Sequence, residues 1–414
     1  NVAIAALFAP KPLAMSGAND WTIDIETKGL PELQTVYSYY DKPDNVAAKC
    51  FPQFGHNYNR VAREMMYDWF NKHLKLGRKE PVDEQDFDPV PPDQLSVFDS
   101  EHPLPEDAKT SEELREYLTS VANAAYQQRV REDACDLRNY RRIVGTAAGI
   151  MLDEGVPESD QIQVDETTED FGESLRLTKG TMGRLIYGES IPFVRLSPKE
   201  ETRKAVLWID AKGKAALFDE AGQPIAAVKK LLDAGYSVIS ADVFMTGEFL
   251  EAGEPAPVPV VDEKYCGYTF CYNRPLLSNR VRDILTVVGG AIHQGEVGDL
   301  SLVATGDAGP WALLAAALAG RSIDRAVVDV NGFSFSKLTS TADPMFLPGA
   351  LKYGDIGGLA ALAAPTPLTV AGAAGVPATT LQPLKRVYVA AEGKLTVGDE
   401  PLSTDGAAEL LLSR

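Results

Sequence analysis

Residues 4–18, IAALFAPKPLAMSGA, match residues 359–373, LAALAAPTPLTVAGA, at nine of fifteen positions, without a gap and at a constant offset of 355. Both stretches are rich in Ala, which raises chance identity. The shared Ala-Pro-x-Pro-Leu core and the Gly-Ala pair behind the apolar run go beyond composition, and they predict two copies of one fold. Whatever the better-preserved copy reads as therefore constrains the other.

The second copy reads almost whole. Ala205–Ile209, Ser237–Ala241, Leu300–Ala304, Ala326–Val330 and Pro367–Ala371 are short apolar runs with β-branched residues, each bounded by Gly, Asp or Pro. Buried parallel strands have this form. Between them lie helical stretches at Pro224–Ala234, Arg280–His293 and Pro310–Leu318. Strand alternating with helix predicts an α/β fold, a mostly parallel sheet with helices on both faces. The segments QIQVDET and RLIYGESIPFVRL, within residues 151–200, read as antiparallel strands leading into it.

The first copy begins at the matched motif. It reads as a strand at Pro12–Ser16, then a helix from Gly29 with Leu30, Leu33, Tyr37 and Tyr40 on one face. A strand near Val46–Phe51 follows, and then a helix striped by Val61, Met65 and Trp69. That is the C-terminal third of an α/β domain, over residues 1–78. Residues 80–107 hold ten acidic residues, six prolines and no Lys or Arg, so 79–107 reads as an exposed linker. A helical segment, 108–150, carries the stripe Leu114, Leu118 and Val121, and the second domain occupies 151–414.

With 40 Lys+Arg against 59 Asp+Glu in 414 residues, the formal net charge is −19. Such a surface repels phosphate backbones and anionic lipid headgroups, which argues against a nucleic-acid or membrane partner. No apolar run approaches the roughly 20 residues a spanning helix needs. Four cysteines are too few for a disulfide scaffold. Cys266 and Cys271 read as packed thiols rather than as a disulfide or a metal corner, since the nearest histidine is His293. Cys50 reads as core. No metal or cofactor is expected.

Four histidines keep the search for chemistry short. His56, in FPQFGHNYN, follows a strand and precedes a helix, where a loop at the carboxyl edge of a parallel sheet presents it. Asp20 closes SGAND, also directly after a strand. One strand and one helix separate the two residues, so both should emerge at the same edge. A nucleophilic hydrolase needs such a pair: the histidine takes the nucleophile's proton, and the carboxylate fixes the tautomer and stabilises the imidazolium. His73 and His102 read as structural, and His293 as a helix-surface residue.

Through LFAPKPLAMSGANDWT, FPQFGHNYN and the closing MYDWFNKHL, residues 1–76 resemble the C-terminal part of acetyl xylan esterase and dienelactone-hydrolase-like α/β-hydrolases. Bacterial proteins of this kind are similar in having two such domains in tandem, the first catalytic and the second degenerate. The resemblance implies an α/β-hydrolase fold, a serine nucleophile in a G-x-S-x-G elbow, and ester substrates such as acetylated carbohydrate. It gives Asp20 and His56 the roles of acid and base, and suggests a periplasmic or extracellular setting.

The sequence departs from that pattern at the nucleophile, for no G-x-S-x-G occurs in the 414 residues. In the second copy LVATGDAGPWALLAAALAG reads as strand, tight turn and apolar helix, with Asp307 where the serine would stand. Under the offset Asp20 falls on Gly375, and no histidine follows, so the second domain is expected to be inactive. The same offset puts the first domain's elbow about 48 residues before Asn1. The expectation is a carboxylic ester hydrolase whose nucleophile lies outside these residues. The apolar edges and faces of the first 76 residues, such as Val61, Met65 and Trp69, would then be covered by an N-terminal fragment of the same protein or by a second copy in a homo-oligomer. The competing expectation is a non-catalytic pseudo-hydrolase serving as scaffold or carbohydrate-binding module.

Overall fold

Each apolar run bounded by Gly, Asp or Pro forms a strand in the computed structural model, which describes residues 1–130, 135–153, 155–200, 202–251, 261–262, 265–293 and 297–413. The chain divides into two units, Asn1–Ala108 and Lys109–Arg414.

In the first unit β1 (Leu13–Ala18) and β2 (Val46–Phe51) pair in parallel, Leu13 opposite Val46 and Ala18 opposite Phe51. The helix Leu30–Ser38 makes the crossover and seals a small core of Leu33, Tyr37 and Val46. Tyr37 is fully buried, and its hydroxyl donates to the Lys11 carbonyl at 2.8 Å. Tyr40, expected on the same stripe, lies beyond the helix end and is exposed.

The helix Arg60–Leu74 starts where the Asn59 side chain accepts from the Ala62 amide, and it ends at Lys75 in the left-handed region. Its inward residues are Ala62 and Asn71 rather than the expected stripe; Val61 is exposed, and Met65 and Trp69 are half-buried. The helix is turned by polar anchors, since Asn71 binds the Arg78 carbonyl and the Glu80 carboxylate. Glu84 likewise accepts from Arg63 Nε and Nη2, each at 2.6 Å, and from the Tyr67 hydroxyl at 2.7 Å. The start of the acidic stretch is thus strapped to this helix instead of hanging free. From residue 85 to 107 it is mostly exposed, with only the short turn Pro92–Leu95.

The second unit is built on a nine-stranded sheet. Its strands are β3 (Ile162–Phe171), β4 (Leu175–Arg184), β5 (Ile191–Pro198), β6 (Lys204–Ile209), β7 (Ser237–Ala241), β8 (Asp299–Ala304), β9 (Arg325–Asp329), β10 (Leu368–Ala371) and β11 (Leu395–Val397). They lie in the order β11-β10-β9-β8-β6-β7-β5-β4-β3. The sheet is mixed: β3, β4 and β5 run antiparallel to their neighbours, and β6 to β11 are parallel.

Two cores cover its two faces. One packs the helices Leu276–His293, Gly309–Ala319 and Ala378–Ala390, and the other packs Ala226–Asp233 and Thr404–Leu412. The helix Gly309–Ala319 is apolar all round because it is enclosed on nearly every side. In contrast, the stripe Leu114, Leu118 and Val121 on the helix Ser111–Arg129 is exposed. That helix stands on a capping box, with the Thr110 and Glu113 side chains each accepting from the other's amide, and its one buried residue is Tyr126.

Leu13 and Leu368, related by the offset of 355, each open the first strand of a parallel pair, facing Val46 and Leu395 respectively.

Candidate active site

Because β1 and β2 are parallel, the chain leaves both at the same edge, and the two exit loops are stitched by the Asn19 amide donating to the Phe54 carbonyl at 2.8 Å. Behind β1 the backbone folds back tightly. A Cβ on Gly17 would press on the Thr22 carbonyl and Ile25, so the turn needs glycine there. The fold-back lets Thr22 serve Asp20: the Thr22 amide donates to Oδ1 at 2.8 Å and its hydroxyl to the same oxygen at 2.6 Å. The hydroxyl also accepts from the Ala18 amide at 3.0 Å, which locks its rotor. The other carboxylate oxygen, Oδ2, stands 2.7 Å from His56 Nδ1.

The Asp20 side chain is 16% exposed and the His56 side chain 83%. The Thr22 hydroxyl, then the Thr22 amide, and then His56 hold the Asp20 carboxyl down to about 2. An ionised acceptor on Nδ1 assigns the proton of a neutral imidazole to that nitrogen. Nε2 is then the basic atom, and it has no partner among the described residues. Chemically the pair can take a proton at Nε2 and return it, with the resulting imidazolium stabilised by Asp20.

Thr22 is the site residue that sequence reasoning missed. The signal was there, because a Thr two positions after an Asp that ends a strand is the pattern of a side-chain-closed turn. The remaining histidines have other surroundings. His73 stacks on Trp69 with ring centroids 4.1 Å apart, and burial pushes its pKa down. His102 is exposed beside Asp99. His293 is exposed at the end of its helix, with Nε2 3.1 Å from the Pro157 carbonyl.

Cys50 is buried, its sulfur 3.7 Å from the Ala18 carbonyl. Cys266 and Cys271 are both free thiols flanking the single-turn helix Gly267–Phe270, and Cys271 is exposed rather than packed. Among the described residues no group of three His, Cys, Asp or Glu side chains could hold a metal ion, and no helix is long and apolar enough to cross a membrane.

In the second unit β8 ends at Ala304, a turn follows at Gly306–Ala308, and the helix Gly309–Ala319 begins. Gly309 is required because a Cβ there would overlap the Asp329 carbonyl oxygen. The left-handed residue of this turn is Gly306, with φ +57°, one position before Asp307. A nucleophile elbow presents its side chain from the strained residue of the turn. In this turn the positive φ falls on a residue without a side chain, and Asp307 follows it, two residues before Gly309. Asp307 instead accepts a hydrogen bond from the Asn331 amide group at 2.9 Å. Gly375, which matches Asp20 under the offset, is left-handed and likewise brings no carboxylate.

The sequence matches no protein-family model and no curated protein. Among solved structures, the chain is similar to a presumed acetyl xylan esterase from Bacteroides fragilis, with a TM-score of 0.51 and 14% identity over 71% of this chain and 83% of that one. A glucuronoyl esterase from Solibacter usitatus matches at a TM-score of 0.44 and 12% identity, over 66% of this chain and 90% of that one. An acetyl xylan esterase from Paenibacillus sp. R4 matches at 0.40 and 13%, over 67% and 92%. The first of these likenesses, together with the strand order above, shows that the chain has an α/β-hydrolase fold.

Proposed function

We propose that Asp20 and His56 are the acid and base of a carboxylic ester hydrolase acting on acetylated carbohydrate or similar esters, by acyl transfer through a serine outside the 414 residues. The observation that carries this reading is the 2.7 Å contact between His56 Nδ1 and an Asp20 carboxylate that Thr22 already holds ionised. Such a relay leaves Nε2 poised to deprotonate a hydroxyl and later to protonate the leaving alcohol. The kinds of esterase named among the similar structures agree with this choice of substrate.

The first unit, on this reading, is the closing part of a hydrolase domain, joined by the acidic segment to a second domain without catalytic power. Its pairing supports that. In the second unit β10 is flanked by β11 on one side and β9 on the other, whereas β1, its counterpart, has only β2. The free edge of β1 would take a parallel strand equivalent to β9. Exposed apolar residues of the first unit, among them Leu7, Phe8, Phe70 and Leu74, would be covered at the same time.

The test is hydrolysis of p-nitrophenyl acetate by the full-length protein beside its His56→Ala variant, together with the complete reading frame. A serine on a strand–turn–helix upstream of Asn1, and activity that vanishes with His56, support the reading. Activity independent of His56 would end it. The non-catalytic alternative is favoured for the second unit by the glycine at its elbow and the lack of any histidine beyond Gly375.

A further inference from the structure

Beside the Gly306 turn the second unit keeps a cavity of about 600 Å³. It opens at the carboxyl ends of the parallel strands, lined by Ala211 after β6, Met245 after β7, Asp307 after β8 and Asn331 after β9. Ligands bind at this edge in α/β sheets. The absent nucleophile and base leave the cavity without catalytic groups but not without recognition groups.

One of these is Arg280, from the helix Leu276–His293, which lines the cavity at 4% exposure. Its Nε donates to the Phe244 carbonyl at 3.1 Å and Nη2 to the Met245 carbonyl at 3.4 Å, while Cζ stands over the Trp311 ring, 4.1 Å from its centroid. Among the described residues Arg280 forms no ion pair, and Nη1 donates no hydrogen bond. Burial pulls the guanidinium down to about 10. Asp283, one turn on, spends its carboxylate on the Phe244 amide at 2.7 Å and is itself pushed up to about 7, first by burial and then by Glu189. Asp283 acts on the guanidinium only through its charge and forms no ion pair with it, so a contacting anion would still offset the burial of this cation.

The other charged groups of the lining are already engaged and lie further out. Asp307 is tied to Asn331, Asp343 caps the Met345 amide at 2.8 Å, and Lys337 donates to the Gly332 carbonyl at 2.7 Å. Met245 and Asn331 both hold left-handed backbone, φ +59° and +48°, although neither is glycine. Such strain gathers at ligand clamps, and here the Met245 conformation aims its carbonyl at Arg280.

We propose that this cavity binds a small organic carboxylate, its charged end on Arg280 Nη1 and its apolar body against Pro310, Trp311 and Phe333. The site is independent of Asp20 and His56, which belong to the other unit, so the esterase reading can fail without it. Isothermal titration of the full chain with sodium phenylacetate, beside neutral phenylacetamide, tests it. The acid should bind about tenfold or more tightly than the amide, as a charge-assisted hydrogen bond implies, and Arg280→Met should remove the difference. Leu250→Trp narrows the cavity from another side without touching Arg280, and it should abolish binding of the acid even if Arg280→Met does not fold. Equal binding of acid and amide, unchanged binding in Leu250→Trp, or no binding at millimolar concentration each overturns the proposal.

Discussion

His56 Nδ1 and Asp20 Oδ2 stand 2.7 Å apart although 36 residues separate them, because two parallel strands release both loops at one edge. In the proposed mechanism Asp20→Asn leaves the loops intact but favours the wrong tautomer. In the full-length protein kcat for p-nitrophenyl acetate should fall about 10⁴-fold, with KM little changed. His56→Ala should cost at least as much, and Asp307→Ala should leave the rate nearly intact. Equal losses from His56→Ala and Asp307→Ala, both folded, would assign the chemistry to the wrong unit.

Asp20 should titrate near 2, against an ordinary 3.8. Its folded value lies below its unfolded one, so its contribution to stability is fully present above about pH 4 and is lost as the pH falls through 2. Carboxyl-carbon NMR of the chain reads the midpoint directly. Thr22→Val removes the hydroxyl that contributes most, and should move the midpoint up toward 3.8. An unmoved midpoint would put the cause elsewhere.

Asp283 works with the opposite sign. Burial pushes its carboxyl up to about 7, so the folded state holds a proton that the unfolded state releases above 3.8. The second unit should therefore lose stability as the pH rises from about 4 to 7, by ~4 kcal/mol as an upper figure. Asp283→Asn keeps an acceptor for the Phe244 amide and should flatten this slope. Denaturant unfolding at several pH values gives the comparison; parallel slopes in the two proteins would refute the assignment.

Gly309→Ala should destabilise the second unit by about 1–3 kcal/mol or more, as overpacking does. The added methyl meets the Asp329 carbonyl, a rigid backbone group at the end of β9, rather than a side chain that could swing away. Thermal unfolding followed by circular dichroism measures it. Gly398→Ala, where a Cβ has nothing within 4 Å, is the matched control and should cost far less.

Much of the fold is legible in the sequence, because strands buried on both faces are continuous apolar runs. Ser237–Ala241, buried throughout, is observed with the bounds its composition suggests, and so is the half-buried Val46–Phe51. Helix faces were harder. Leu114, Leu118 and Val121 have the right period, and so do Val61, Met65 and Trp69, but period says only which residues share a face. What turns a face inward is set by distant partners, such as Asn71 gripping the Glu80 segment.

At the candidate site the long-range pair could be read from the topology, since strand-following positions in parallel neighbours share an edge. Thr22 was missed because its part is local hydrogen bonding rather than chemistry. In the turn behind β8 the positive φ falls on Gly306, one residue before Asp307, and spacing alone does not reveal which residue of a turn takes it.

That glycine turn bears on redesign. A Cβ on Gly306 would have nothing within 4 Å, so a serine there has room, and its left-handed backbone would cost about 1–2 kcal/mol. A serine-based catalytic set there would also require a proton acceptor where the segment behind β11 carries Asp399 and Glu400, and no histidine. The backbone of the second unit would thus accept a serine at this turn, and a base would have to be supplied with it.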